Sequence, residues 1–179
     1  MPIHVALLRG INVGGHNKVE MAALRKLCQD LGLAGVKSVL QSGNLVFQSE
    51  RLSGDALDRL LERETAERLG VAADYLIRSA VEWEQIVVRN PFAKEAVEDP
   101  SHLLVMCLKE APSAQDVGAL RSSFKGPEFI REDGKQLYLV YPAGIGRSKL
   151  TSAVIEQKLG VRGTARNWNT ILKLLALCK

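Results

Sequence analysis

Apolar residues fall along this chain in two rhythms. Short, nearly unbroken apolar runs predict strands, and recurrences at i, i+3, i+4, i+7 predict helices. Ile3–Leu8 is a run of the first kind. Leu24, Leu27, Cys28 and Leu31 form one helical face, which Gly32 is placed to end. Asn17 stands three residues before Glu20 and predicts a capping box at the start of that helix. Val36–Leu40 and Leu45-Val46-Phe47 predict two strands joined by the turn cluster Gln41-Ser42-Gly43-Asn44. Ser53 can cap a helix carrying Leu57, Leu60, Leu61 and Leu69, and Asp74–Ser79 reads as the next strand.

The order then repeats. Val81–Val88 predicts a connecting helix, ended by Asn90-Pro91. His102–Leu108 reads as a strand. Ser113 and Asp116 form a capping pair ahead of Val117, Leu120 and Phe124. Glu128–Arg131 and Gln136–Tyr141 predict a hairpin across Asp133-Gly134. A helix over Lys149–Leu159, a short strand over Val161–Thr164 and a last helix over Trp168–Leu177 complete the pattern. The fold class is therefore α/β, an α+β plait. It is expected to be a duplication of two ferredoxin-like β-α-β-β-α-β units, with a connecting and a C-terminal helix. The expected boundaries are 1–80 for the first unit, 81–100 for the connecting helix and loop, and 101–179 for the second unit with its last helix. Together they are expected to form one compact domain.

Composition fits a packed core: 46% of the residues are hydrophobic and 25% charged. The chain opens without a basic segment followed by an apolar run, and no apolar stretch is long enough to span a bilayer. Cys28, Cys107 and Cys178 sit inside apolar patterns with no metal-ligand spacing, as small hydrophobes do in a reducing compartment. A cytoplasmic protein with no membrane partner, no metal and no cofactor is expected. Charge is uneven. Residues 1–120 hold 13 Lys/Arg against 16 Asp/Glu, whereas residues 121–179 hold 11 against 4. A basic C-terminal third attracts anions through its summed field.

Four loops carry the candidate chemistry. The first runs from Arg9 to His16, where a strand leads into a helix. Gly10, Gly14 and Gly15 can expose backbone N–H groups to a phosphate or carboxylate, with Arg9 and Asn12 adding donors. Its spacing matches neither Gly-x-Gly-x-x-Gly nor a P-loop, because His16-Asn17 stands where Lys-Ser/Thr is needed. The second is Gln41-Ser42-Gly43-Asn44, with Ser42 and Asn44 as polar groups. With the second strand taken as antiparallel to the first and the strands ideal, this turn is expected to lie away from the Arg9 loop, while a kinked or bulged hairpin would bring Gln41 or Ser42 onto the sheet face instead. The third is Gly144–Lys149, which opens a helix after a strand with the cations Arg147 and Lys149 and with Ser148 able to cap it. The fourth is Gly163–Thr170, where Arg166 can grip an oxyanion and Asn167 can cap the last helix.

The runs Leu8–Gly15, Gln41–Asn44 and Thr164–Thr170 together resemble the mostly bacterial family called domain of unknown function 1697. The resemblance covers essentially the whole chain. It implies a plait architecture with a duplicated ferredoxin-like arrangement, and it supplies no activity, substrate or catalytic residue.

Three functions remain open. One is a binding protein for an anionic ligand, either a nucleotide-like small molecule or nucleic acid, working through the glycine loop. Nucleic acid has weaker support, since aromatic residues make up only 5% and no strand carries an aromatic recognition run. Another is an enzyme acting on a small phosphorylated or carboxylated substrate, with His16 as the available base. The third is an interaction protein acting through sheet edges or a dimer.

Overall fold

A computed structural model describes residues 1–179. The chain divides into two units, one made of residues 1–85 and 174–179, the other of residues 86–173.

The first unit holds β1 (Ile3–Arg9), α1 (Met21–Asp30), β2 (Ala34–Ser38), β3 (Asn44–Gln48), α2 (Gly54–Leu69) and β4 (Asp74–Ser79), followed by the start of α3 (Ala80–Val88). Its four strands form one sheet in the order β2-β3-β1-β4, with every neighbouring pair antiparallel. Strand periodicity sets the packing. Ala6 and Leu8 of β1, Leu45 and Phe47 of β3, and Tyr75 and Ile77 of β4 share a core with Leu24 and Leu27 of α1 and Leu57 and Leu61 of α2. The alternate residues Val5, Leu7, Val46 and Leu76 are buried too. That is why these strands read as unbroken apolar runs.

The second unit takes in the end of α3 and α4 (Ala93–Glu98), a short helix the apolar pattern did not predict. Then come β5 (Leu103–Leu108), α5 (Ala114–Ser123), β6 (Phe129–Asp133), β7 (Gln136–Val140), α6 (Ser152–Leu159), β8 (Gly163–Asn167) and the start of α7 (Trp168–Ala176). The sheet order is β6-β7-β5-β8, again antiparallel throughout. Leu104, Met106, Leu108, Leu137 and Leu139 pack with Val117, Leu120, Ile155 and Leu159. The chain is thus a duplicated ferredoxin-like arrangement, α+β in class.

The repeat extends to single residues. The Leu8 N–H donates to the Gly43 carbonyl (2.9 Å), and the Leu108 N–H donates to the Lys135 carbonyl (2.8 Å). Val5 pairs with Arg78 in β4, and Val105 pairs with Arg166 in β8. Each arginine donates from Nη1 to the carbonyl of the residue before it, Ile77 or Ala165. The next residue then caps a helix in each unit. Ser79 Oγ accepts from the Glu82 N–H, and Asn167 Oδ1 accepts from the Thr170 N–H. Gly70 and Gly160, both left-handed, close α2 and α6.

Three expectations are corrected. β1 and β2 are both antiparallel to β3, so they run parallel to each other and end at the same edge of the sheet. The Gln41 turn therefore lies beside the Arg9 loop and not away from it. α1 starts at Met21 with Glu20 in the cap position and no side-chain cap bond, so Asn17 does not cap it. α6 starts at Ser152, capped by Thr151 Oγ1 accepting from the Val154 N–H, and not by Ser148.

Candidate functional site

The Arg9–His16 segment folds into a miniature hairpin. Val13 and His16 pair across Gly14 (φ +56°) and Gly15 (φ +78°), and the His16 N–H donates to the Val13 carbonyl. Two successive positive φ values at a two-residue turn are what glycine provides without strain. Asn12 and Asn17 form the base, with the Asn12 N–H donating to the Asn17 carbonyl (3.1 Å). Both asparagines are themselves left-handed, with φ of +53° and +50°. Asn17 Nδ2 donates back to the Gly10 carbonyl (2.9 Å).

Asn12 stitches this hairpin to two other segments. Its Nδ2 donates to the Val19 carbonyl (3.1 Å) and the Gln41 carbonyl (2.7 Å), while its Oδ1 accepts from the Val19 N–H (2.8 Å). Gly43 packs beneath. A Cβ there would stand 2.7 Å from Ile11 Cδ1 and 2.9 Å from Leu8 Cβ. Asn44 is fully buried, and its Nδ2 donates to the Val39 carbonyl and to Ser42 Oγ. Leu40 is forced to φ +62°, an uncommon strain for a bulky residue, and stays exposed. Arg9 reaches sideways to Asp74 (2.9 Å).

The glycine loop and the Gln41–Asn44 turn thus meet around an open cleft of about 450 Å³, lined by Asn12, Gly15, Lys18, Val19, Glu20 and Gln41. Arg9, Gly10, Gly14, Ser42 and Asn44 are not among its lining residues. Gln41 belongs to the turn cluster read from the sequence, whereas neither Lys18 nor Glu20, the latter expected only in a capping box, was singled out as a site residue. The only signal for these two was their position beside the first loop.

The second unit has a cleft of about 490 Å³ between residues 123–128 and 147–149. Lys125, Arg147 and Lys149 line it and make no hydrogen bond or ion pair within the chain. Gly144, at φ +85°, turns the chain into this loop, its N–H donating to the Tyr141 carbonyl. Ser148 Oγ donates to Glu128 Oε1 and accepts from the Leu150 N–H (3.0 Å). Glu128 is the cleft's only acid, and its Oε2 is buried without a partner. Lys125 and Glu128 also escaped the sequence reading, because they precede a strand in no recognisable motif.

Arg166 and Asn167 line neither cleft. Arg166 is 9% exposed, with Nη1 on Thr164 Oγ1 (2.7 Å) and the Ala165 carbonyl (2.8 Å), and burial pulls its guanidinium down to about 10. Burial pushes the Cys28 thiol up to about 12, which keeps it protonated and unreactive. No helix is long and apolar enough to cross a membrane.

Among solved structures, the chain is similar to a protein titled "The structure of conserved bacterial protein SP0830 from Streptococcus pneumoniae". The two are 25% identical, with a TM-score of 0.73 over 99% of each chain. No curated protein matches the chain. A family profile matches residues 1–138, and by that match the chain belongs to the family described as "Protein of unknown function (DUF1697)".

Proposed function

We propose that this chain is a cytoplasmic binding protein for an anionic ligand, taken in the second unit's cleft by Lys125, Arg147 and Lys149. One observation carries the reading: three cations line one cleft without an intramolecular partner. Ammonium and guanidinium groups only donate, so an oxyanion is the natural partner for them. The cleft's single carboxylate, Glu128, accepts from Ser148 at Oε1 only and is outnumbered by the three cations. The excess of Lys and Arg in residues 121–179 adds a long-range field of the same sign. A volume of about 490 Å³ suits a phosphorylated small molecule better than a duplex. The glycine loop has less to offer an anion, because Asn12, Asn17 and Arg9 are engaged within the fold.

The test is a thermal-shift and calorimetric titration with inorganic phosphate, nucleoside phosphates, sugar phosphates and short oligonucleotides at two salt concentrations. A ligand at about 100 times its Kd should add about 2.7 kcal/mol of stability. Binding of one phosphorylated molecule, weakened about tenfold or more in Arg147→Ala and Lys149→Ala, supports the reading. A signal confined to oligonucleotides and fading steeply with salt identifies a nucleic-acid backbone as the anion. Absence of binding across the set, or unchanged affinity in the triple alanine variant, rejects it.

A further inference from the structure

We propose that the first unit carries its own ligand site, the cleft at Asn12, Lys18, Glu20 and Gln41, and that its ligand is a free α-amino acid. The argument starts from Val19. Asn12 holds both its N–H and its carbonyl (2.8 and 3.1 Å), and its side chain is buried. That clamp fixes the short segment ahead of α1, with Lys18 and Glu20 on either side of Val19 and both facing the cleft. In an extended segment, residues two apart stand on the same side, about 7 Å from Cα to Cα.

The side chains of Lys18 and Glu20 make no hydrogen bond or ion pair within the chain, with each other included. The Gln41 amide is likewise unengaged, although its carbonyl is held by Asn12 Nδ2 at 2.7 Å. The cleft therefore offers one cation, one anion and one neutral amide on a frame that hydrogen bonds have already set. A phosphate would meet the Glu20 carboxylate at close range, and a metal ion would find a single carboxylate. A zwitterion satisfies both charges at once. Its carboxylate goes to Lys18 Nζ and its ammonium to Glu20, leaving room beside Gln41 for a side chain. The cleft, at about 450 Å³, lies in the range of small-molecule sites. Because Asn12 has ordered the loop beforehand, little conformational freedom remains to be lost on binding.

Isothermal titration of the full chain with the common amino acids tests this. Each that binds is then compared with its N-acetyl and its carboxamide forms. Blocking either end should weaken binding roughly 10- to 100-fold, since each block removes a charge-assisted contact. Lys18→Gln should erase discrimination against the carboxamide, and Glu20→Gln discrimination against the N-acetyl form. Both positions are exposed, so the variants should melt as the parent does. The triple alanine variant of Lys125, Arg147 and Lys149 should bind amino acids unchanged, which separates this site from the anion site. No heat with any amino acid, equal affinity for the blocked forms, or unchanged discrimination in the variants would overturn the proposal.

Discussion

The two units share a strand order but place their long connections at opposite ends of the sheet. In the first unit the extra chain follows β1, at residues 10–20, and joins β2 to β3 at residues 39–43. Both stretches lie where β1 and β2 end. In the second unit those connections shrink to residues 109–113 and the turn at Gly134-Lys135, while residues 141–151 lengthen after β7. The chemistry differs as well. The first unit's loops are stitched by asparagines, and an amide can donate and accept within its own chain. The second unit's loop presents cations, which the fold leaves without partners. One architecture therefore yields an internally satisfied frame in one copy and an unsatisfied basic cleft in the other.

The largest expected effect tests that stitching through glycine. Gly43 is left-handed (φ +91°) and pressed against Leu8 and Ile11. Gly134 is also left-handed (φ +59°) but has nothing within 4 Å of its Cβ position. Gly43→Ala combines backbone strain with overpacking and should destabilise by about 3 kcal/mol. Gly134→Ala carries the strain alone, about 1 kcal/mol. Urea denaturation of both variants reads the difference. Equal midpoints would mean that the Gly43 turn is not packed against the first loop.

Asn12→Ala comes next. It removes three hydrogen bonds and leaves the Val19 N–H without its partner in a half-buried setting. Alanine must also hold φ near +53°. A loss of about 2 kcal/mol is expected, with faster amide exchange at Val19 as a local signature. Native-like stability with unchanged exchange would show that the frame does not depend on this side chain.

Much of this fold was legible. The apolar runs and the 3.6-residue recurrences located most of the strands and helices, because each buries one face against a core. The duplication was visible only as an order of elements. Equivalent pairs such as Val5 and Val105, Ser49 and Tyr141, or Arg78 and Arg166 drift in spacing as the connecting loops differ in length, so no fixed period links them. The site was harder to read. Asn17 looked like a helix cap because a cap and a loop-closing asparagine use the same donor and acceptor groups. Which backbone they meet is decided by tertiary approach, here of Gly10. The two clefts depended on knowing which strand ends share a sheet edge, and that follows from pairing partners far apart in sequence.

The smallest effect isolates one residue that breaks the repeat. His4 of β1 and Leu104 of β5 occupy equivalent strand positions, 3% and 7% exposed. Leu104 belongs to the apolar core, whereas His4 packs against Phe47 with its Nε2 buried and unpartnered. Burial lowers the imidazole's pKa, an effect that the nearby Glu82 carboxylate partly opposes. A folded pKa below the unfolded one means that the unfolded chain takes up the proton first as pH falls. Stability linked to His4 is then fully present above about pH 6.5 and is lost below it. His4→Leu gives the first unit the residue of the second. Its melting temperature should match or exceed the parent's at neutral pH, and the gap should widen as the buffer is taken from pH 7 to pH 5. A gap that stays constant over that range would mean that the imidazole is protonated as readily in the folded chain as in the unfolded one.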